Sequence, residues 1–220
     1  MKATTFPVVG IGASAGGLEA LERLFRNLPP NLGAAFVLIL HRPYNKKSLL
    51  LGLLQKFTKM EVFEIRHGME IQVNCVYFSP PRQNVSLYKG GIFSFPDPLL
   101  TPWNSMGIDF FFRTLAETQR ENAIGVLLSG GGTDGTLGVK AIREAGGETV
   151  VQDPCISKYP EMARNAIKSG FVNTSIPVEE LSGVTLVIFE QVASKEPGTS
   201  GKNKGRKKKR PSKEPSNRVN

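Results

Sequence analysis

The chain has 220 residues, about 40% of them hydrophobic, which is enough to bury one sizeable core and argues for one domain rather than two. Its formal charge of +9 is local: residues 195 to 220 hold ten Lys or Arg against two Glu, leaving about +1 for residues 1 to 194. No apolar run reaches the ~18 to 20 residues needed to cross a bilayer, the N-terminus has no signal-peptide core, and Cys75 and Cys155 have neither CxxC spacing nor a histidine at ligand spacing. These features exclude a membrane protein, a disulfide framework and a zinc site, and they predict a cytoplasmic protein with reduced thiols.

Phe6 to Ile11 reads as a short buried strand closed by Gly12, and Leu18, Leu21, Leu24, Phe25 and Leu28 then recur at helical spacing. Pro29-Pro30 ends that helix. Ala34 to Leu40 is continuously apolar, as in a parallel strand buried on both faces, with His41 at its carboxyl end; Ser48 to Phe57 is a further amphipathic helix. Glu61 to Ile65, Val73 to Phe78, Val85 to Tyr88 and Ile92 to Phe95 are short strands separated by Gly, Asn and Pro, suggesting hairpins at one edge of the sheet. Ile108 to Thr118 is a helix, Ala123 to Leu128 a second fully apolar strand, and Ser129 to Gly135 a glycine-rich turn opening the helix Thr136 to Glu144. Thr149 to Gln152 is a strand, Met162 to Lys168 a short helix and Phe171 to Ile176 a last extended segment. The alternation predicts an α/β fold: a doubly wound, mostly parallel sheet with helices on both faces and an antiparallel hairpin insertion. The expected organisation is a folded unit over 1–194 and a disordered basic tail over 195–220.

In such a sheet, functional groups gather outside the carboxyl ends of the strands. Three polar residues stand there: Ser14 after the first strand, His41 at the end of the second and Asp134 after Ala123 to Leu128. A serine hydroxyl needs a base to take its proton, an imidazole is the usual base, and a carboxylate on the other ring nitrogen fixes its tautomer. Taken singly, Ser14 and Asp134 read as caps of the helices that follow them. Their conjunction with His41 points to a nucleophile, a general base and an orienting acid. Amides of the Ser129-Gly130-Gly131-Gly132 turn, Gly131 first, are candidate oxyanion donors. His67, on a turn, has no assigned role. A competing reading is dinucleotide binding, since Gly10-Ile11-Gly12-Ala13-Ser14-Ala15 fits a relaxed G-x-G-x-x-A pattern; His41-Arg42 stands where an acidic residue would be expected.

Gly12-Ala13-Ser14-Ala15-Gly16-Gly17, Leu40-His41-Arg42-Pro43 and Ser129-Gly130-Gly131-Gly132-Thr133-Asp134-Gly135 occur in the order and at about the separation seen in the chemotaxis protein-glutamate methylesterase (CheB-type) family. The resemblance spans about residues 7 to 182. It is nearest to catalytic domains fused to a receptor methyltransferase, with no receiver domain before the first strand. It implies hydrolysis of glutamate methyl esters, with deamidation of glutamine, on the cytoplasmic helices of chemoreceptors. It further implies Ser14, His41 and Asp134 as a triad, no metal or organic cofactor, and either a separate regulator or a fused methyltransferase module as partner.

The sequence departs from the family pattern around the site. Gly131 replaces the methionine common in that turn, Ala15 a frequent threonine, and Arg42 the usual apolar residue after the histidine, while Glu161-Met162-Ala163 replaces Gly-Met-Pro. Ala15, Gly131, Arg42 and Met162 are thus the candidate oxyanion or pocket residues. The altered wall leaves a second expectation open, a catalytically weak module that docks on a receptor or signalling complex. No specific nucleic acid is expected as partner, although the block Arg206-Lys207-Lys208-Lys209-Arg210 could contact polyanions.

Overall fold

The structure is a computed structural model that describes residues 4, 6–41, 49–101, 106–181 and 183. In chain order it contains β1 (Val8–Ala13), α1 (Gly17–Arg26), β2 (Ala35–Leu40), α2 (Leu49–Phe57), β3 (Glu61–Glu64), β4 (Cys75–Phe78), β5 (Ser86–Tyr88), β6 (Ile92–Ser94), α3 (Gly107–Gln119), β7 (Ala123–Leu127), α4 (Thr136–Glu144), β8 (Glu148–Gln152), α5 (Glu161–Lys168) and β9 (Thr174–Ile176). A short 3-10 turn, Arg120–Asn122, joins α3 to β7.

Seven strands form one sheet in the order β3-β4-β2-β1-β7-β8-β9, and every pairing in it is parallel. The continuous apolar runs of β1, β2 and β7 follow from burial on both faces. One face packs against α1 and α2 through Leu21, Leu24, Phe25, Leu50 and Leu54. The other packs against α3, α4 and α5 through Phe111, Phe112, Leu115, Ile142 and Ala166. The chain leaves β1 toward β2 on one side, and β7 continues to β8 on the other. The order therefore reverses between β1 and β7, opening a crevice at their carboxyl ends.

The expected edge hairpins are corrected in part. Among the described strands, only β5 and β6 pair antiparallel, as a separate two-stranded sheet that Ile92 links to Glu70 by one antiparallel bridge, whereas β3 and β4 are parallel members of the main sheet. The loop 65–74 between β3 and β4 looked like a hairpin turn in sequence but carries the chain back to the same end, so both strands run alike. That loop is tied down by its own bonds, including the Gln72 amide to the Tyr77 hydroxyl at 2.8 Å.

Gly10 and Gly12 lie inside β1, where an added Cβ would stand 2.9 Å from Leu115 and Phe112 at the first position and 2.5 Å from Ile108 at the second. They allow α3 to lie directly on the strand. The pair that suggested a phosphate-binding turn is thus a packing feature of β1 and α3. The basic segment 195–220 and Arg42 lie outside the described residues.

Candidate active site

The three strand ends meet as their registers require. Ser14 follows β1 directly, and its amide donates to the Ser129 carbonyl at the end of β7 over 3.0 Å. The His41 amide donates to the Ala13 carbonyl at 3.1 Å, which fixes the end of β2 beside the serine turn. Gly16 holds φ at +75° as the N-cap of α1, a backbone conformation that glycine adopts without a Cβ penalty. Ser14 is therefore not that helix's cap; its carbonyl accepts from the Gly17 amide at 3.0 Å. Its side chain and that of His41 line one cavity of about 430 Å³, walled by Leu18, Leu40, Leu50 and Leu53.

His41 Nε2 lies 2.7 Å from Asp134 Oδ2, with the carboxylate 4% and the imidazole 22% exposed. A pair at this distance is a short, charge-assisted hydrogen bond when the ring carries a proton on both nitrogens. Asp134 does not cap the helix that follows it: the N-cap of α4 is Gly135. Its carboxylate instead accepts the amides of Ile108 at 2.9 Å and Asp109 at 2.8 Å, at the start of α3, and that of Gly135 at 2.9 Å. An anion at a helix N-terminus is stabilised by the exposed amides and the aligned peptide dipoles. Those three amides and the imidazole fix the carboxylate of Asp134 in orientation. The helix beneath is rigidly seated, because Ile108, Phe111, Phe112 and Leu115 are fully buried, each worth about 1.5–3 kcal/mol of transfer free energy.

The glycine-rich turn is locked onto both the serine turn and α5. Gly130 donates to the Tyr159 carbonyl at 2.9 Å, and its own carbonyl accepts the Met162 amide at 3.0 Å. A Cβ on Gly130 would fall 2.7 Å from Met162 Cε and 3.0 Å from Ser14 Cβ, so this turn passes directly against the serine. Among the described residues, the Ala15 and Gly131 amides have no hydrogen-bond partner, and both residues are exposed, Ala15 next to Ser14 in the chain and Gly131 next to Gly130. Met162 is fully buried and its amide is engaged, so its contribution is to back the turn. An added Cβ at Gly131 would meet only Glu161 Oε2, at 3.9 Å. His67, outside this cluster, accepts the Phe95 amide at 3.2 Å.

Sequence reasoning did not single out Ser129 or Asp109. Ser129, 2% exposed, donates through Oγ to the Ala15 carbonyl at 2.8 Å and accepts the Tyr159 amide at 3.2 Å, joining three loops of the site. Asp109, 2% exposed, accepts the Gly138 amide at 2.6 Å, and burial, with Asp134 nearby, pushes its carboxyl above the usual carboxylate range. A signal existed for the latter: an acid on the apolar face at the start of Ile108-Asp109-Phe110-Phe111-Phe112.

Residues 9–184 match the family model described as CheB methylesterase. The chain belongs to the CheB methylesterase family. A relative from Leptospira interrogans named putative protein-glutamate methylesterase/protein-glutamine glutaminase is 30% identical over 80% of this chain and 92% of its own length. One from Anaeromyxobacter dehalogenans, named protein-glutamate methylesterase/protein-glutamine glutaminase 2, is 32% identical over 82% of this chain, which spans 52% of that protein. The crystal structure of the Thermotoga maritima CheB methylesterase catalytic domain superposes with a TM-score of 0.76 at 25% identity, covering 84% of this chain and all of that one. The parallel sheet with its separate hairpin is thus the fold of a CheB catalytic domain. Among the described residues, no helix is long and apolar enough to cross a membrane.

Proposed function

We propose that this CheB-type domain is a serine hydrolase that demethylates glutamate methyl esters, and deamidates glutamine, on the cytoplasmic helices of chemoreceptors, with Ser14, His41 and Asp134 as its triad. The observation that carries the reading is the 2.7 Å contact of a buried Asp134 with His41, which lines the same cavity as Ser14. Asp134 occupies Nε2, so base chemistry falls to Nδ1. Ser14 Oγ attacks the side-chain carbonyl carbon as His41 takes its proton, and Asp134 stabilises the imidazolium that forms. The candidate donors to the oxyanion are the Ala15 and Gly131 amides, backbone groups that need no rearrangement before reaction begins. Collapse of the tetrahedral intermediate expels methanol, or ammonia from glutamine, which leaves with the proton from His41. Water, activated by the same imidazole, releases the glutamate carboxylate and regenerates Ser14.

The apolar cavity suits the aliphatic stem and methyl group of the ester, and neither step calls for a metal or organic cofactor. Gly131 supports catalysis as well as a bulkier residue would, because a backbone amide is the donor. For that reason the weak docking module is the less favoured reading. The test is methanol release from a methylated receptor cytoplasmic fragment: wild-type protein releases it and Ser14→Ala does not. Equal release from both would overturn the reading.

Action on receptor cytoplasmic helices places the protein in the cytoplasm. The same resemblance supplies the finer partner, a fused methyltransferase module or a separate regulator, while polyanion contact through residues 206–210 rests on that basic block itself, with loss of heparin binding on deletion of residues 195–220 as its check.

A further inference from the structure

Next to Asp134 lies a second buried carboxyl, that of Asp109, which the reaction does not use. Asp109 Oδ1 accepts the Gly138 amide at 2.6 Å, so the side chain bolts α3 to the first turn of α4. Its backbone amide is one of the donors to Asp134 Oδ1, and Gly135, another donor to the same oxygen, begins α4. Asp109 thus touches both pieces of backbone that cradle the triad carboxylate. Among the described residues, its other oxygen, Oδ2, is buried without a hydrogen-bond partner. So is Asn84 Oδ1, whose amide nitrogen is committed to the Thr101 carbonyl at 3.2 Å. Both side chains line one small cavity of about 120 Å³, together with Thr101, Arg113 and Leu137.

Two buried acceptors opening on one cavity, with no donor assigned to either, would each cost the free energy of an unmade bond. One proton on Asp109 Oδ2 removes the conflict, because a neutral carboxyl donates through that oxygen into the cavity toward Asn84 while Oδ1 still accepts from Gly138. The charged groups that face Asp109 are Asp134, across the turn before α4, and Arg113, one turn along α3 and itself exposed. Asp134 already has three amides and the imidazole. A second anion beside it in a buried setting would have the Gly138 amide, a Gly135 amide already committed to Asp134, and a solvent-screened arginine. Of the two acids, Asp109 is the one to hold the proton.

We propose that Asp109 is a positioning residue of this site that carries a proton, fixing the starts of α3 and α4 around the triad carboxylate without adding charge beside it. The proposal rests on the hydrolase reading for its kinetic consequences. Its spectroscopic consequence stands apart.

The experiment pairs Asp109→Asn, which keeps one acceptor and one donor without charge, with Asp109→Ala, which keeps neither. In difference infrared spectra at neutral pH, wild type shows the C=O stretch of a protonated buried carboxyl, sensitive to exchange into heavy water, and Asp109→Asn lacks it. Asp109→Asn keeps the wild-type kcat and the wild-type acid limb of kcat/KM for methanol release. Asp109→Ala loses on the order of 10- to 100-fold in kcat, as expected when a reacting group is misplaced by an ångström or less. Three results would overturn the proposal: no protonated band in wild type, an acid limb that moves to lower pH in Asp109→Asn because a negative charge near His41 has been removed, or a melting temperature that rises with added potassium or calcium in wild type only, which would put a cation on Asp109 Oδ2. An infrared band in a wild-type protein that releases no methanol would sink the hydrolase reading and leave the protonation intact.

Discussion

At the level of single residues, the site separates chemistry from structure in a way that substitutions can read out. Among the described residues, Ser14 Oγ makes no hydrogen bond that holds the fold, so Ser14→Ala should abolish turnover with an unchanged melting temperature. Asp134 does both jobs: its carboxylate meets His41 and the three amides of Ile108, Asp109 and Gly135. Asp134→Ala should therefore cost on the order of 10⁴-fold in kcat, and about 1–2 kcal/mol of stability in urea unfolding, the usual cost of a lost helix cap. An Asp134→Ala protein as stable as Ser14→Ala would show that the carboxylate does not hold α3. Ser14, His41 and Asp134 were all legible in the sequence, because each follows a strand whose apolar run marks it as central in a parallel sheet. The partners of Asp134 were not. Its neighbours in sequence pointed to α4, yet its carboxylate serves α3, whose Ile108 lies 26 residues earlier and reaches it only through tertiary packing.

Among the elements, α3 governs the site, and its approach to β1 depends on two glycines. A Cβ at Gly12 would meet Ile108 Cγ2 at 2.5 Å and Leu127 Cδ2 at 2.8 Å, whereas at Gly10 it would meet the more distant Leu115 and Phe112 at 2.9 Å. Overpacking of this kind costs about 1–3 kcal/mol, so both Gly→Ala variants should unfold at lower urea. Gly12→Ala should also lose activity, since Ile108 is the residue whose amide holds Asp134; Gly10→Ala, deeper along the strand, should keep a larger share. Equal kcat in the two variants would show that α3 shifts as a rigid body. The glycine turn makes a similar contrast. Gly130→Ala drives a methyl into Met162 and Ser14, while Gly131→Ala points into open space near Glu161, so methanol release should fall sharply in the first and little in the second. The element types were readable from periodicity, and so was the hairpin of β5 and β6. The parallel sense of β3 and β4 was not, because short strands between turn residues look alike whichever way the chain returns.

Across the whole molecule, two buried acids make stability fall as pH rises, in separate windows. Asp109 is raised by burial foremost, then by Asp134. An acid whose folded value lies above its unfolded one contributes fully below the unfolded value, and that contribution is lost as pH climbs toward the folded one. For Asp109 the loss begins near the ordinary carboxylate range, where the unfolded chain starts to ionise while the folded chain does not. Asp109→Asn has no such proton to retain, so the stability of wild type relative to this variant should decline steadily from about pH 4 upward. Tyr77 supplies the second window. It is 1% exposed, and burial pushes its hydroxyl from 10.0 to about 12. Its contribution is intact below pH 10 and should be lost between pH 10 and about 12, a loss that Tyr77→Phe escapes at the cost of the Gln72 amide bond. Urea midpoints of wild type, Asp109→Asn and Tyr77→Phe between pH 4 and 11 test both windows at once. A wild-type curve that runs parallel to Asp109→Asn throughout would mean that Asp109 ionises alike folded and unfolded, and that the second carboxyl next to Asp134 is solvated after all.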